Sequence, residues 1–331
     1  MMFPLVPMNL GDIFDRTFRL LGRTFGRSAI IALILLAPTA LLFSFALGSF
    51  FSTVIDLAQG PYDLDPPDLD QLAPMFGAVG LIALTGLLLG LASIAGYLAI
   101  TYLAFSEFIG KNVTWEEAFR KGIGLPLLRS IGVTLLMGLA FGAVLILPYL
   151  LIIGGAASDS SALAGIGIIL LLGAIGVVLF LAFRWNFTYQ AVVLEDSTAI
   201  DSFRRSWDLV AGNWWRVFGI MLLFSILVDF AISLLLTPLT LIVLWDFFSE
   251  YFSLLGGIAS GDSDPEQFLK VFSSMGPGLG ILIAADAILT TIISPLYSVA
   301  LYFDLRARKG EFQQSPNAGP TSQIAPLMPQ A

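Results

Sequence analysis

In 331 residues the chain has no cysteine and no histidine, and Lys, Arg, Asp and Glu together make up only 12% of it. Without thiols there are no disulfides and no cysteine nucleophile. Without imidazole there is no Ser–His pair, no histidine-ligated haem and no zinc site of the usual kind. Carboxylates are left for acid–base work, and the sequence offers no clustered pair of them. The scarcity of charge excludes a water-soluble globular fold, since soluble domains carry roughly 25% charged residues. What the chain does have is apolar: 57% hydrophobic residues and a mean hydropathy of +0.89. That excludes intrinsic disorder and leaves an all-α integral membrane protein.

Six apolar stretches, at 28–55, 76–105, 128–154, 162–183, 217–245 and 278–303, reach the about 20 helical residues needed to cross a hydrocarbon core. The first begins after Arg27 and outruns the apolar core of a signal peptide. Fifteen of the sixteen lysines and arginines fall in alternate loops and termini; Lys270 is the exception. The positive-inside rule then puts both termini in the cytoplasm of a cell membrane. The intervening loops are acidic, with Asp56, Asp63, Asp65, Asp68 and Asp70 in one and Asp246, Glu250, Asp262, Asp264 and Glu266 in another. The net charge of −8 thus conceals a positive inner face suited to anionic headgroups.

A short pattern recurs before each odd-numbered span: Asn9-x-x-Asp12-x-Phe14, Thr114-x-x-Glu117-x-Phe119 and Thr198-x-x-Asp201-x-Phe203. Each is followed two residues on by a basic side chain, Arg16, Lys121 or Arg205. The first four positions have the form of a capping box. Each box is expected to open an amphipathic helix lying along the cytoplasmic surface. In the first, Leu10, Ile13, Phe14, Phe18, Leu21 and Phe25 share one face, and Arg16, Arg19, Arg23 and Arg27 the other. In the third, Phe203, Trp207, Val210 and Trp214 form the apolar face, whereas the second is interrupted by Gly122, Gly124 and Pro126.

The predicted architecture is one polytopic membrane domain over 1–309, built of three tandem parallel repeats at about 9–108, 114–195 and 198–309. Each is an interfacial helix followed by a transmembrane hairpin. Pro265 after Asp264 predicts the start of a short external helix, and the polar, Pro-rich segment 310–331 predicts a disordered cytoplasmic tail.

Three segments carry a family resemblance: Leu10-Gly11-Asp12-Ile13-Phe14-Asp15-Arg16-Thr17-Phe18-Arg19-Leu20, Ser202-Phe203-Arg204-Arg205-Ser206-Trp207, and Pro295 with Ala300-Leu301-Tyr302-Phe303-Asp304-Leu305-Arg306. The chain resembles the glycerophosphoryl diester phosphodiesterase membrane domain family over essentially its whole length to about Arg308. In that family the membrane domain is sometimes fused to a hydrolase domain whose chemistry uses paired histidines and acidic metal ligands. A histidine-free chain does not carry that activity, so the resemblance implies membrane architecture without catalysis.

Two carboxylates fall within spans, Asp229 and Asp286. An ionisable group at membrane depth is costly and marks a candidate site. Ser225, Asp229, Ser233 and Thr237 recur every fourth residue, as do Asp286, Thr290, Ser294 and Ser298, so each set makes a polar stripe on one helix face. The stripes either face each other across a hydrated seam that passes a cation or proton, or hold hydroxyls tied to backbone carbonyls inside the bundle. At about 1.5 Å per residue, Asp229 falls ~18 Å and Asp286 ~25 Å from the basic ends of their spans, which speaks against a shared ion.

Arg16, Arg19, Arg23, Arg184, Arg204 and Arg205 are candidate lipid-headgroup contacts, Arg184 beside Trp185 with snorkelling as the plainer alternative. The acidic loop around Asp63 lacks the EF-hand order and reads as solvated. Gly86-x-x-x-Gly90 and Gly138-x-x-x-Gly142 are read as close-packing sites between spans. The expected function is that of a non-enzymatic accessory or organising membrane protein acting through lipids or a protein partner, without cofactor, metal or nucleic acid. The alternative is a transporter or channel for a small polar solute or ion that uses the stripes of spans 5 and 6.

Overall fold

A computed structural model of the protein describes residues 6–59, 69–260 and 265–312. Among the described residues the fold is entirely helical, in the order α1 (Leu10–Gln59), α2 (Leu69–Phe108), α3 (Trp115–Ile123), α4 (Leu125–Ala157), α5 (Ser161–Arg184), α6 (Thr188–Leu194), α7 (Ala199–Val210), α8 (Trp214–Val243), α9 (Trp245–Ser260) and α10 (Pro265–Arg308). Six helical stretches, built on α1, α2, α4, α5, α8 and α10, are long and apolar enough to cross a membrane. The acidic positions Asp63, Asp65, Asp68, Asp262 and Asp264 and the tail beyond residue 312 lie outside the described residues.

The capping boxes form, each differently. Asn9 and Asp12 are fully reciprocal: the Asp12 N–H donates to Asn9 Oδ1 at 2.8 Å, and the Asn9 N–H donates to Asp12 Oδ2 at 3.0 Å. In the second copy the Glu117 N–H donates to Thr114 Oγ1 at 3.3 Å, but the Glu117 carboxylate turns away to accept from the Tyr102 hydroxyl at 3.2 Å. In the third the Asp201 N–H donates to Thr198 Oγ1 at 3.2 Å, and the hydroxyl donates back to the Asp201 carboxylate at 2.7 Å. Each satisfies a first-turn N–H that would otherwise lack a partner.

The helices that these boxes open depart from expectation. The first box does not open a separate surface helix: α1 runs unbroken for 50 residues through the apolar stretch. Its buried face is Ile13, Thr17, Leu20, Thr24, Ser28 and Ile31, a continuous three-and-four spacing with no break between a surface part and a spanning part. Thr17 and Thr24 sit on that face because their hydroxyls donate to the carbonyls of Ile13 and Leu20, at 2.7 and 2.8 Å. Phe18 and Phe25, expected on the same face as Ile13, are exposed. In α7 the buried residues are Ser202, Ser206, Leu209 and Val210, with Trp207 exposed, and Trp214 belongs to α8 rather than to the third box's helix. Pro265 does begin a helix, but one of 44 residues, in place of the short external helix expected there. A sixteen-residue helix, α9, precedes it.

The chain divides into two compact units, one made of Met1–Thr24, Leu98–Phe224 and Pro295–Ala331, the other of Phe25–Tyr97 and Ser225–Ser294. The first unit has an aromatic core. The Phe303 ring stacks on Phe108 at 4.3 Å and Phe105 at 5.7 Å, Phe187 lies 5.9 Å from Tyr302, and Phe224 is sandwiched between Phe14 at 4.3 Å and Tyr297 at 4.7 Å. Such ring pairs add to simple area burial.

Within the first unit the α4–α5 hairpin is closed by glycine. A Cβ on Gly155 would stand 2.4 Å from the backbone nitrogen of Ala164. Gly138 and Gly142 instead have nothing within 4 Å of a built Cβ, so they are not the close-packing site expected of them. The second unit makes its own close approach, where a Cβ on Gly280 would meet Ser44 Cα at 2.4 Å.

Candidate functional site

In the second unit, α8 and α10 wall an open groove of about 480 Å³. Ser233, Thr237 and Thr240 face it from α8 and Asp286 from α10, with Ile232, Leu236, Leu282 and Ile283 forming apolar walls. Asp229, one helical turn before Ser233 on α8, is not on the groove. Among the described residues no lysine or arginine forms an ion pair with Asp229 or Asp286.

The structure therefore brings together part of what the sequence stripes suggested. Ser233, Thr237 and Asp286 share the groove, whereas Ser225 is exposed away from it, Thr290 and Ser294 are half-buried, and Ser298 is buried. Thr240 was not on the stripe and joins the groove because it follows Leu236 by one helical turn. Two hydroxyls are partly spent on the helix itself: Thr237 donates to the Ser233 carbonyl at 2.7 Å and Thr240 to that of Leu236 at 2.9 Å. Their remaining lone pairs, with the Asp286 carboxylate, offer acceptors suited to a proton or a small cation. Among the described residues no group of three or more acidic side chains is placed to hold a metal ion.

The six arginines expected at headgroups fare unequally. Arg16 is only 7% exposed, with its guanidinium 5.7 Å from the Phe108 ring centroid, and is not presented to a headgroup. Arg205 is likewise turned inward, toward Glu195 and Glu311. Arg19 pairs with Asp15 at 2.9 Å and Arg23 with Glu107 at 3.4 Å. Arg184 lies 4.5 Å over the Trp207 ring and donates to the Trp207 carbonyl at 3.1 Å. Arg204 is 78% exposed, with Asp201 at 3.8 Å.

Among the described residues the densest polar construction lies in the first unit, and although Arg205, Tyr302, Asp304 and Arg306 fall in motifs of the sequence, nothing there brings them together. The Asp304 carboxylate, fully buried, accepts from the Met8 N–H at 2.7 Å, from Arg216 Nε at 3.1 Å and from Arg308 Nε at 3.0 Å. Arg216 and Arg308 both also donate to the Met8 carbonyl, at 2.7 Å each. Two residues before Asp304, the buried Tyr302 hydroxyl donates to Glu195, which receives Arg205 through two bonds of 2.9 Å. Glu311 bridges Arg205 and Arg306, each at 2.7 Å.

Burial alone would weaken the Arg205 charge, but hydrogen bonds to Glu311 and Glu195 outweigh it and raise the guanidinium's pKa above its usual range. Burial likewise opposes charge on Glu311, and hydrogen bonds from Arg205 and Arg306 overcome it and hold that carboxyl below its ordinary value. The one signal in the sequence was Asp304 itself, a lone acid set against Arg306 and Arg308 at the end of an apolar run.

A family model described as a domain of unknown function (DUF7847) matches residues 23–305. The chain belongs to that family. The match includes Asp229, Asp286, Glu195, Tyr302 and Asp304, and stops short of Arg306, Arg308 and Glu311. Its description assigns no activity and makes no link to the glycerophosphoryl diester phosphodiesterase membrane domain. No curated protein and no solved structure matches the chain.

Proposed function

We propose that this member of the family is a non-catalytic, multi-pass membrane protein, an accessory or organising module that works through lipid or protein partners. One observation carries the reading. In the most apolar window of α4 only 6% of residues are buried, and in that of the α5 stretch 11%, against 22% to 33% in the other four spanning stretches. A hairpin whose side chains are outward on nearly every face, Leu139 and Ile169 among the most exposed at 70% each, is left for lipid or a protein partner to cover.

The one-sided distribution of arginine and lysine supports a plasma (bacterial inner) membrane with both termini cytoplasmic. The recurrence of capping boxes supports three tandem repeats, and the basic residue after each box is drawn inward: Arg16 to Phe108, Lys121 to Asp196 at 3.1 Å, Arg205 to Glu195. The resemblance to the phosphodiesterase membrane domain fits this role as one of architecture, without hydrolase chemistry. Photo-crosslinking residues placed at Leu139 and Ile169 in cells should give a discrete protein adduct or a selected lipid class. Adducts matching bulk lipid in composition would sink the reading.

A second reading, transport of a small polar solute or ion, is favoured by the groove that joins Asp286 to Ser233, Thr237 and Thr240. It requires a flux in proteoliposomes that Asp286→Asn abolishes.

A further inference from the structure

At the end of α5, Trp185, Phe203, Arg204, Trp207 and Asp208 line a cleft of about 390 Å³ in the first unit. Among the described residues its lining is three aromatic rings, one guanidinium and one carboxylate. Trp185 and Phe203 meet edge to face at 5.0 Å, fixing two of the walls. The third ring is held by Arg184, which is not part of the lining, lies 4.5 Å over Trp207 and donates to its backbone carbonyl. Arg184 is thus a positioning residue, and the guanidinium offered to the cleft is that of Arg204, 78% exposed. Arg204 and Asp208 are one helical turn apart on α7, yet among the described residues the only ion pair Arg204 makes is with Asp201 at 3.8 Å, and Asp208 makes none.

We propose that this cleft binds the headgroup of a phospholipid that carries both a phosphate and a primary ammonium group. The proposal rests on the lipid-partner reading and names its chemistry. Arg204 takes the phosphate, for which a guanidinium is well shaped. The ammonium sits among the ring faces, where a cation gains from the aromatic quadrupole, and donates to Asp208. A purely anionic headgroup leaves Asp208 facing like charge, and a quaternary ammonium has no N–H for it. Indoles at the end of an apolar helix mark headgroup depth, so the ligand is a lipid rather than its soluble fragment.

The test uses the full chain reconstituted in nanodiscs of defined phosphatidylethanolamine, phosphatidylglycerol and phosphatidylcholine content, with lipids retained after delipidation read by native mass spectrometry. Wild type should retain phosphatidylethanolamine over the other two by about fivefold, the scale of one exposed charge pair. Asp208→Asn should erase that preference, Asp208→Glu should keep it, and Arg204→Gln should lower retention of all three. Both positions are on the surface, and an unchanged tryptophan emission spectrum checks the fold.

Lipid retention by wild type with no amine preference, or a preference that survives Asp208→Asn, overturns this site and leaves the broader lipid reading standing. No retained lipid at all overturns both. Equal binding of free O-phosphoethanolamine by the lipid-stripped protein overturns the assignment to a lipid.

Discussion

Two kinds of carboxylate occupy this molecule. Asp304 and Glu195 are embedded among guanidiniums and a phenol, every one of which donates to them. Asp229 and Asp286 sit in the middle of apolar helices with no cationic partner among the described residues. The first arrangement is what a folded chain needs in order to tolerate buried charge; the second is what it avoids unless the charge is wanted. The contrast separates carboxylates whose charge is paired within the fold from carboxylates whose charge is not.

The strongest break in the comparison is Asp304→Asn. It leaves Arg216 and Arg308 facing a neutral amide and weakens the bond that secures Met8. Breaking a buried pair from one side costs about 3–5 kcal/mol, and the low end applies because both guanidiniums keep some exposure. The expected result is a loss of about 3 kcal/mol in detergent unfolding followed by tryptophan fluorescence. A change below about 1 kcal/mol would make Asp304 no different in kind from Asp286.

Tyr302→Phe is the next step down. It removes one hydroxyl donor to Glu195 but leaves the two bonds from Arg205, and the phenyl ring still fills the core beside Phe187. A hydrogen bond to a charged group contributes about 1.5–3 kcal/mol, so a loss of about 1.5 is expected in the same assay. Arg205→Gln combined with Tyr302→Phe should cost less than the sum of the two, because both act on one carboxylate.

Acid sharpens the same contrast with a smaller effect. Glu311 has a pKa lowered by Arg205 and Arg306, so its contribution is fully present above the unfolded value of about 4.3 and is lost as pH falls through the folded one. Stability should therefore fall below about pH 4, and Glu311→Gln should flatten that limb by up to about 1 kcal/mol while lowering the neutral plateau by the same amount. An acid limb unchanged in Glu311→Gln would show that the bridge from Glu311 to Arg205 and Arg306 adds nothing to the fold.

How far the sequence discloses these elements depends on the range of the forces involved. Apolar length is local, and six helices long and apolar enough to cross a membrane could be read from it. Capping boxes are equally local: the bond from the third-residue N–H to the cap side chain forms in all three, and the return bond to the cap N–H only in the first. The continuity of α1 was not legible, because a box, an arginine-bearing face and an apolar run that follow one another in the chain suit one helix or two equally well. Residues nearly 300 positions apart make the Asp304–Met8 bond, and no spacing rule reaches that far. Of the candidate site, Asp286, Ser233 and Thr237 were found by periodicity, while Thr240 enters through α8's own turn and Asp229 drops out of the groove. Arg16 was misjudged for a related reason: a helical wheel separates charged from apolar positions but cannot see Phe108 arriving from another helix to cover a guanidinium.

The smallest effect on stability is expected at the two carboxylates without a cationic partner. Asp229→Asn and Asp286→Asn each remove a charge without a counter-ion, from a helix centre where an aspartate costs about 2.5–3.5 kcal/mol to insert. No hydrogen bond among the described residues depends on either carboxylate, so neither substitution leaves a donor stranded. Each variant, and the double variant, should match wild type within about 0.5 kcal/mol or exceed it. Marked destabilisation by Asp286→Asn would place it with Asp304 as part of the framework and remove the reason for seeking a solute in the groove. Unchanged stability combined with a lost flux would make the unpaired charge the working part of the protein, and the paired ones the means by which the fold carries it.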